Sequence, residues 1–232
     1  MDDPRAGSSA TLRRYATRIR HRGPLEVATE VAGAVRSSIS SRGRLRFLTR
    51  GTLPSDVGLP DLTMRPAGAE DADRYARQVG TDSPHTFRRR LGPGTDCYLA
   101  LDGQRIVHSS WVTTAGAWVG ELRLYFVVPL ASAYVYESYT SPDARGRGIY
   151  PAMLRYIASD AARDAPKELW IGVGEDNEPS IRAISKGGFV PAFDVAFSRR
   201  LGRVEVESIA GPRSDEAAQV LSRDWPPGPM VR

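Results

Sequence analysis

The sequence predicts a mixed α/β (α+β) domain built on a central, mostly antiparallel sheet flanked by helices. Three observations carry that prediction. From Leu62 onward, strand-like and helix-like runs follow one another in the order β-α-α-β-β-β-β-α-β-α-β-β, a pattern in which most strands are joined to their sequence neighbours. Asp102-Gly103 splits the run CYLALDGQRIVHSSWVTT into two halves, a strong hairpin signal. Only one strand–helix–strand unit, residues 133–173, demands a parallel crossover, and chirality makes it right-handed.

The elements follow in order. LTMRP at 62–66 reads as a short strand. Ala69, Ala72, Tyr75 and Ala76 share one face of a helix over 67–79, and a second short helix covers 84–91. After the Asp102-Gly103 hairpin, TAGA makes a turn, and WVGELRLYFVV and SAYVYESYT read as two more strands. Ile149, Met153, Leu154, Ile157 and Ala161 form the buried stripe of a helix over 147–163. ELWIGV is a strand, residues 177–186 are a helix stopped by Gly187-Gly188, and GFVPAF with DVAFSRRL makes a final strand pair. The remaining stretch holds a short helix before a Pro-rich tail. Upstream, residues 1–10 are polar, residues 11–36 have a helical apolar spacing broken near Gly23-Pro24, residues 37–44 read as a loop and residues 51–60 as a linker. The expected organisation is a basic extension and linker (1–60), a main domain (61–205) and a tail (206–232).

Composition narrows the function. The chain has 232 residues and is 41 % hydrophobic, enough for a packed core. One cysteine, Cys97, and three scattered histidines supply neither a disulfide framework nor a metal-ligand spacing, so no metal is expected. Apolar runs fall short of the ~18 residues that span a bilayer, and no secretory h-region opens the sequence. The expected location is cytoplasmic. Residues 1–50 hold 11 arginines against 4 acids, a net of +7, whereas residues 51–232 hold 21 basic against 23 acidic residues, a net of −2. The basic arm suits a membrane surface or a protein partner, and the near-neutral remainder argues against a nucleic-acid substrate.

The stretch that carries chemistry is SPDARGRGIYPAML, between a predicted strand and a predicted helix. A dinucleotide fingerprint would need glycine where Pro151 stands, and the Gly-Lys-Ser/Thr of a P-loop is absent. What remains is R-x-x-G-x-Y, over Arg145, Gly148 and Tyr150. Free amides at a helix N-terminus and the helix dipole suit a pyrophosphate there. Pro151 falls in the first turn, where no amide hydrogen bond is lost.

Two motifs, YTSPDARGRGIYPAMLRYI and EDNEPSIRAISKGGF, in this order and separation, resemble the GNAT superfamily of acyl-CoA-dependent N-acyltransferases, over roughly residues 62–201. The resemblance implies acetyl-CoA as cosubstrate and an N-acetyltransferase acting on a primary amine, such as that of an amino sugar or amino-acid derivative. Its alternatives are acetylation of a protein N-terminus or lysine, and a non-catalytic acyl-CoA-binding module. The backbone at Arg145, Gly146, Arg147, Gly148, Ile149 and Tyr150 would cradle the pyrophosphate. The backbone at Ser138, Tyr139 and Thr140 would meet the pantetheine arm and acyl carbonyl, and Asn177 would bond the arm as well as cap its helix. Expected partners are a small-molecule amine and a second copy in a homodimer.

Such a reaction needs a base, because an alkyl amine with a pKa near ~10 is protonated at neutral pH. Glu137 is the first candidate, on the same face as Val135 and Tyr139 by strict alternation. Glu121, on the preceding strand, is the second. The family's usual thiolate-protonating tyrosine falls at Ile184 here, which leaves Ser180, Ser185, Tyr139 or water as acid; Tyr139 is the residue taken forward. Cys97 and His108 read as core.

Overall fold

Strand β1, Ser40–Gly51, lies inside the main sheet, hydrogen-bonded to other strands along both edges. It corrects the reading of residues 40–44 as loop and of residues 40–51 as part of an extension. The computed structural model describes residues 40–52, 59, 61–162, 168–201 and 203–224; the expected helix over 11–36 lies outside them. β1 carries a period-two pattern masked by arginines. Leu45 and Phe47 point to one face and Leu48 to the other, and all three are buried. Its Arg46 makes a bidentate pair with Asp194, the residue opposite it in the neighbouring strand, at 2.9 Å for both bonds.

The other strands are β2 (Thr63–Pro66), β3 (Thr95–Asp102), β4 (Arg105–Thr113), β5 (Gly116–Val119), β6 (Leu124–Val127), β7 (Ser132–Thr140), β8 (Glu168–Gly174), β9 (Val190–Arg200), β10 (Arg203–Ala210) and β11 (Leu221–Ser222). Eight of them form one sheet in the order β10-β9-β1-β8-β7-β4-β3-β2, and β11-β6-β5 form a small second sheet. β7 and β8 are the parallel pair, and every other named pair is antiparallel. This is the mixed, mostly antiparallel architecture expected from the sequence. The hairpin at Asp102-Gly103 forms, with Asp102 opposite Arg105.

Helices α1 (Ala72–Gln78) and α2 (Pro84–Arg90) pack on one face of β3 and β4. α2 starts at Ser83, whose hydroxyl accepts from the Thr86 amide at 3.1 Å, with Pro84 in the first turn. Helices α3 (Ile149–Ala161) and α4 (Glu178–Lys186) cover the opposite face. The alternation of β3 sorts its side chains accordingly: Cys97, Leu99 and Leu101 go to α1 and α2, while Tyr98 and Ala100 go to α3. The small sheet and helix α5 (Ala217–Val220) close the first face over β1, β8 and β9, through an aromatic cluster of Phe47, Phe126, Phe193, Tyr134 and Trp170.

Three further expectations need correction. WVGELRLYFVV is not one strand but the hairpin of β5 and β6, turned at residues 120–123 with Arg123 at φ 53°. GFVPAF and DVAFSRRL do not pair with each other. They merge into β9, because Asp194 is held in the strand by Arg46, and the missing Pro191 amide falls where the ladder with β1 shifts register. The domain also runs past residue 205: β10 continues to Ala210, and α5 and β11 pack beyond it. Among the described residues no helix is long and apolar enough to cross a membrane.

Candidate active site

The site forms where the sheet opens. The ladder between β7 and β8 ends at Val135↔Ile171, although β7 runs on to Thr140 and β8 to Gly174. Tyr134 stands at this point, with its hydroxyl bonded to the Gly172 amide. A Cβ on residue 172 would lie 2.8 Å from that hydroxyl and 3.3 Å from the Phe47 ring, so the close approach requires glycine. Beyond the fork the β8-facing edge of β7 has no strand partner among the described residues, and its amides and carbonyls form a polar wall.

β7 is also bulged here. Its register with β4 shifts between Ser109 and Trp111, which face Tyr139 and Tyr136, and Glu137 has φ 48°, a left-handed conformation that non-glycine residues seldom adopt. The bulge cancels the alternation on which the Glu137 expectation rested. Glu137 does not share the Val135 face. Its carboxylate goes to the α2 side, 2.8 Å from Arg90. Arg90 also binds Asp82 at 2.5 Å and lies 3.9 Å from the Trp111 ring centre. Burial works against the Arg90 charge, but Glu137, Tyr136 and Asp82 outweigh it and hold the pKa above its usual value.

On the other face of the bulge lies a buried polar chain. His108 Nδ1 is 2.7 Å from Thr140 Oγ1, and its Nε2 is 2.9 Å from Ser110 Oγ. Ser110 Oγ is 2.8 Å from Ser138 Oγ, which also bonds the Tyr150 hydroxyl. The Tyr150 ring packs on His108 at 5.2 Å. Desolvation pushes the His108 pKa down to about 3 from 6.5. Between those values the unfolded chain takes up a proton that the fold refuses, so stability falls as pH drops below about 6.5. His108→Gln is expected to flatten the decline of the urea midpoint between about pH 7 and about pH 4.5; an unchanged decline would exclude His108 as its source.

The predicted phosphate loop joins β7 to α3. Pro142–Ala144 form a 3-10 turn, and Gly148 is the N-cap of α3. Gly146 (φ 80°) and Gly148 (φ 74°) are both left-handed, and a Cβ built on either meets nothing within 4 Å. The loop backbone is thus open at both glycines, beside the first turn of a 13-residue helix, whose Ile149 and Tyr150 amides have no intrahelical acceptor. This is a cradle that a pyrophosphate fits. Arg145 Nε donates to the Thr140 carbonyl at 3.3 Å, and Arg147 pairs with Asp102 at 3.2 Å. Ile149 is buried core, and Tyr150 turns its side chain inward, away from the loop mouth.

The remaining expected residues are placed as follows. Tyr139 is half-buried, opposite Ser109. Asn177 caps α4, accepting from the Ser180 amide at 3.3 Å. Ile184 is buried against α3 and the sheet, so the position of the family tyrosine is packed core. Glu121 is not on a strand; it is exposed in the β5–β6 turn. Cys97 is fully buried, as expected. Sequence reasoning missed Arg90, Asp82 and Ser110, which come from elements distant in sequence. The one available signal was composition: His108, Ser109 and Ser110 put three consecutive polar side chains between the apolar pairs Ile106-Val107 and Trp111-Val112 of one strand.

Comparison with known proteins settles the family. The family model described as Acetyltransferase (GNAT) family matches residues 73–189, half of the chain. The chain belongs to the acetyltransferase (GNAT) family. GNAT proteins are acyl-CoA-dependent N-acetyltransferases, and the matched segment contains the fork, the bulge and the phosphate loop. Among solved structures, the GCN5-related N-acetyltransferase from Sphaerobacter thermophilus aligns with TM-score 0.51 at 12 % identity, covering 77 % of this chain and 56 % of that one. A GNAT-family acetyltransferase from Novosphingobium aromaticivorans aligns with TM-score 0.50 at 15 % identity, covering 68 % and 63 %. The chain thus spans under two thirds of either relative, and at these identities the likeness is one of fold. A search of curated protein sequences gave no significant match.

Proposed function

We propose that this protein transfers an acetyl group from acetyl-CoA to a primary amine of a small molecule in the cytoplasm, by direct attack within a ternary complex. The observation that carries the reading is the fork after Val135↔Ile171, which leads into the left-handed Gly146 and Gly148. One continuous path runs from an open strand edge to a helix N-terminus with free amides. Acetyl-CoA supplies an activated thioester carbonyl. The loop amides at Gly146, Arg147, Gly148, Ile149 and Tyr150 hold the pyrophosphate. The backbone at Ser138, Tyr139 and Thr140 aligns the pantetheine arm and donates to the carbonyl oxygen, and Asn177 closes the far side. This positioning supplies most of the acceleration.

Glu137 is the carboxylate beside the acyl end of β7, and we assign it the amine's proton, with Tyr139 as donor to the leaving sulfur. Glu137→Gln is expected to lower acetyl transfer about 100-fold and to leave acetyl-CoA affinity unchanged. Undiminished turnover would remove Glu137 from the mechanism. The reading as a whole is tested by calorimetry with acetyl-CoA, followed by thiol detection over a panel of amino sugars and amino-acid amides. Binding weaker than about 1 mM would sink the cofactor assignment. Binding without thiol release on any amine would favour a non-catalytic module.

A further inference from the structure

Tyr150 belongs to two parts of the molecule at once. Its backbone lies in the first turn of α3, in the loop that faces the proposed pyrophosphate position. Its side chain runs the other way, beneath the sheet, onto His108 and Ser138. Through Ser110 and His108, the same chain of bonds reaches Thr140. Five side chains therefore link the phosphate loop to both ends of the three residues assigned to the acyl arm.

Those three residues are held by a strand on one edge. The ladder with β8 has ended; on the β4 side Tyr139 and Thr140 pair with Ser109 and His108, whereas Ser138 falls in the bulge next to the left-handed Glu137. A segment held along one edge and interrupted there by a bulge opens more easily than one paired on both edges. The side-chain chain adds to that support, since Ser110–Ser138 bridges β4 to β7 at the bulge and His108–Thr140 reinforces the ladder pair beside it. Tyr150 connects this bridge to the first turn of α3, beside the Arg145 bond that ties the loop to the Thr140 carbonyl.

We propose that Tyr150 is a positioning residue: it couples the seating of the cofactor phosphates to the placement of the β7 amides that meet the acyl carbonyl. The proposal rests on the acetyl-CoA reading above. Its test uses the full-length protein and acetyl-CoA carrying carbon-13 in the acetyl carbonyl. Hydrogen bonds from β7 polarise that carbonyl, so the wild-type complex is expected to show a downfield shift relative to free acetyl-CoA. Tyr150→Phe keeps the ring on His108 and removes only the bond to Ser138. It is expected to lose at least about half of the downfield shift, while its calorimetric affinity for CoA stays within about twofold of wild type. Ser138→Ala is expected to shift the signal the same way, which guards against an effect peculiar to the tyrosine. A purely structural role would lower the melting temperature and leave the bound-carbonyl signal in place. The proposal is overturned if both variants keep the wild-type shift, or if Tyr150→Phe loses CoA affinity in step with the shift. Failure of the wild type to bind either molecule would overturn the cofactor reading and the coupling together.

Discussion

Removal of residues 1–51 is expected to abolish folding, whereas removal of residues 1–39 leaves the sheet complete. β1 joins β8 to β9, so its loss separates β9 and β10 from the rest of the sheet and uncovers the aromatic cluster around Phe47. Phe47 and Leu48 are 0 % and 1 % exposed, on opposite faces. Burial of each is worth about 1.5–3 kcal/mol, and the strand's ladder bonds add to this on both edges. Total stability in a domain of this kind is only about 5–15 kcal/mol. The longer deletion should therefore show neither folded circular dichroism nor a cooperative urea transition, and the shorter one should keep the cooperative transition. Phe47→Ala offers a graded version, with an expected cost of about 3–5 kcal/mol. A folded protein lacking residues 40–51 would refute the assignment of β1.

The second large effect is expected at Arg90. Its guanidinium faces Asp82, whose side chain is 2 % exposed, and Glu137, which is 31 % exposed. Arg90→Ala leaves one fully buried and one partly buried carboxylate without their cation. Breaking a buried pair in this way costs about 3–5 kcal/mol, more than the intact pair contributes, because the orphaned charge remains desolvated. Glu137→Gln should cost about 1 kcal/mol or less, since an amide still accepts from Arg90 and the position is partly wet. Urea titrations of the two variants distinguish the cases. Equal and small losses would mean that Asp82 finds another partner.

The contrast between these residues explains what was legible in the sequence. The hairpin at Asp102-Gly103 and the stripe of α3 could be read because their signals are local: turn chemistry in one case, a 3.6-residue period in the other. The phosphate loop could be read because its glycines answer a backbone requirement written at their own positions. β1 could not, because arginines at 42, 44 and 46 hide its apolar alternation, and their acidic partners Glu207, Glu175 and Asp194 lie far along the chain. β10 was missed because its alternation is short: Val204 and Val206 keep period two, but the register shift between Val206 and Ser208 breaks it before Ile209 in a strand exposed over nearly its whole length. The face of Glu137 was misjudged because a bulge moves a side chain across the sheet without leaving a mark in composition.

The placement of β1 also sets a timetable. It is made early, yet its two neighbours, β8 and β9, end at residues 174 and 200. At a synthesis rate of about 5–20 residues per second, the strand waits roughly seven to thirty seconds for its outer partner to emerge. For that interval Leu45, Phe47 and Leu48 have no sheet to enter, and the contacts that bury them are among the most distant in the chain. Closing such long loops is slow. A nascent chain of this protein is thus most vulnerable at β1 while β8 and β9 are still unmade, and those two strands seal the sheet around it.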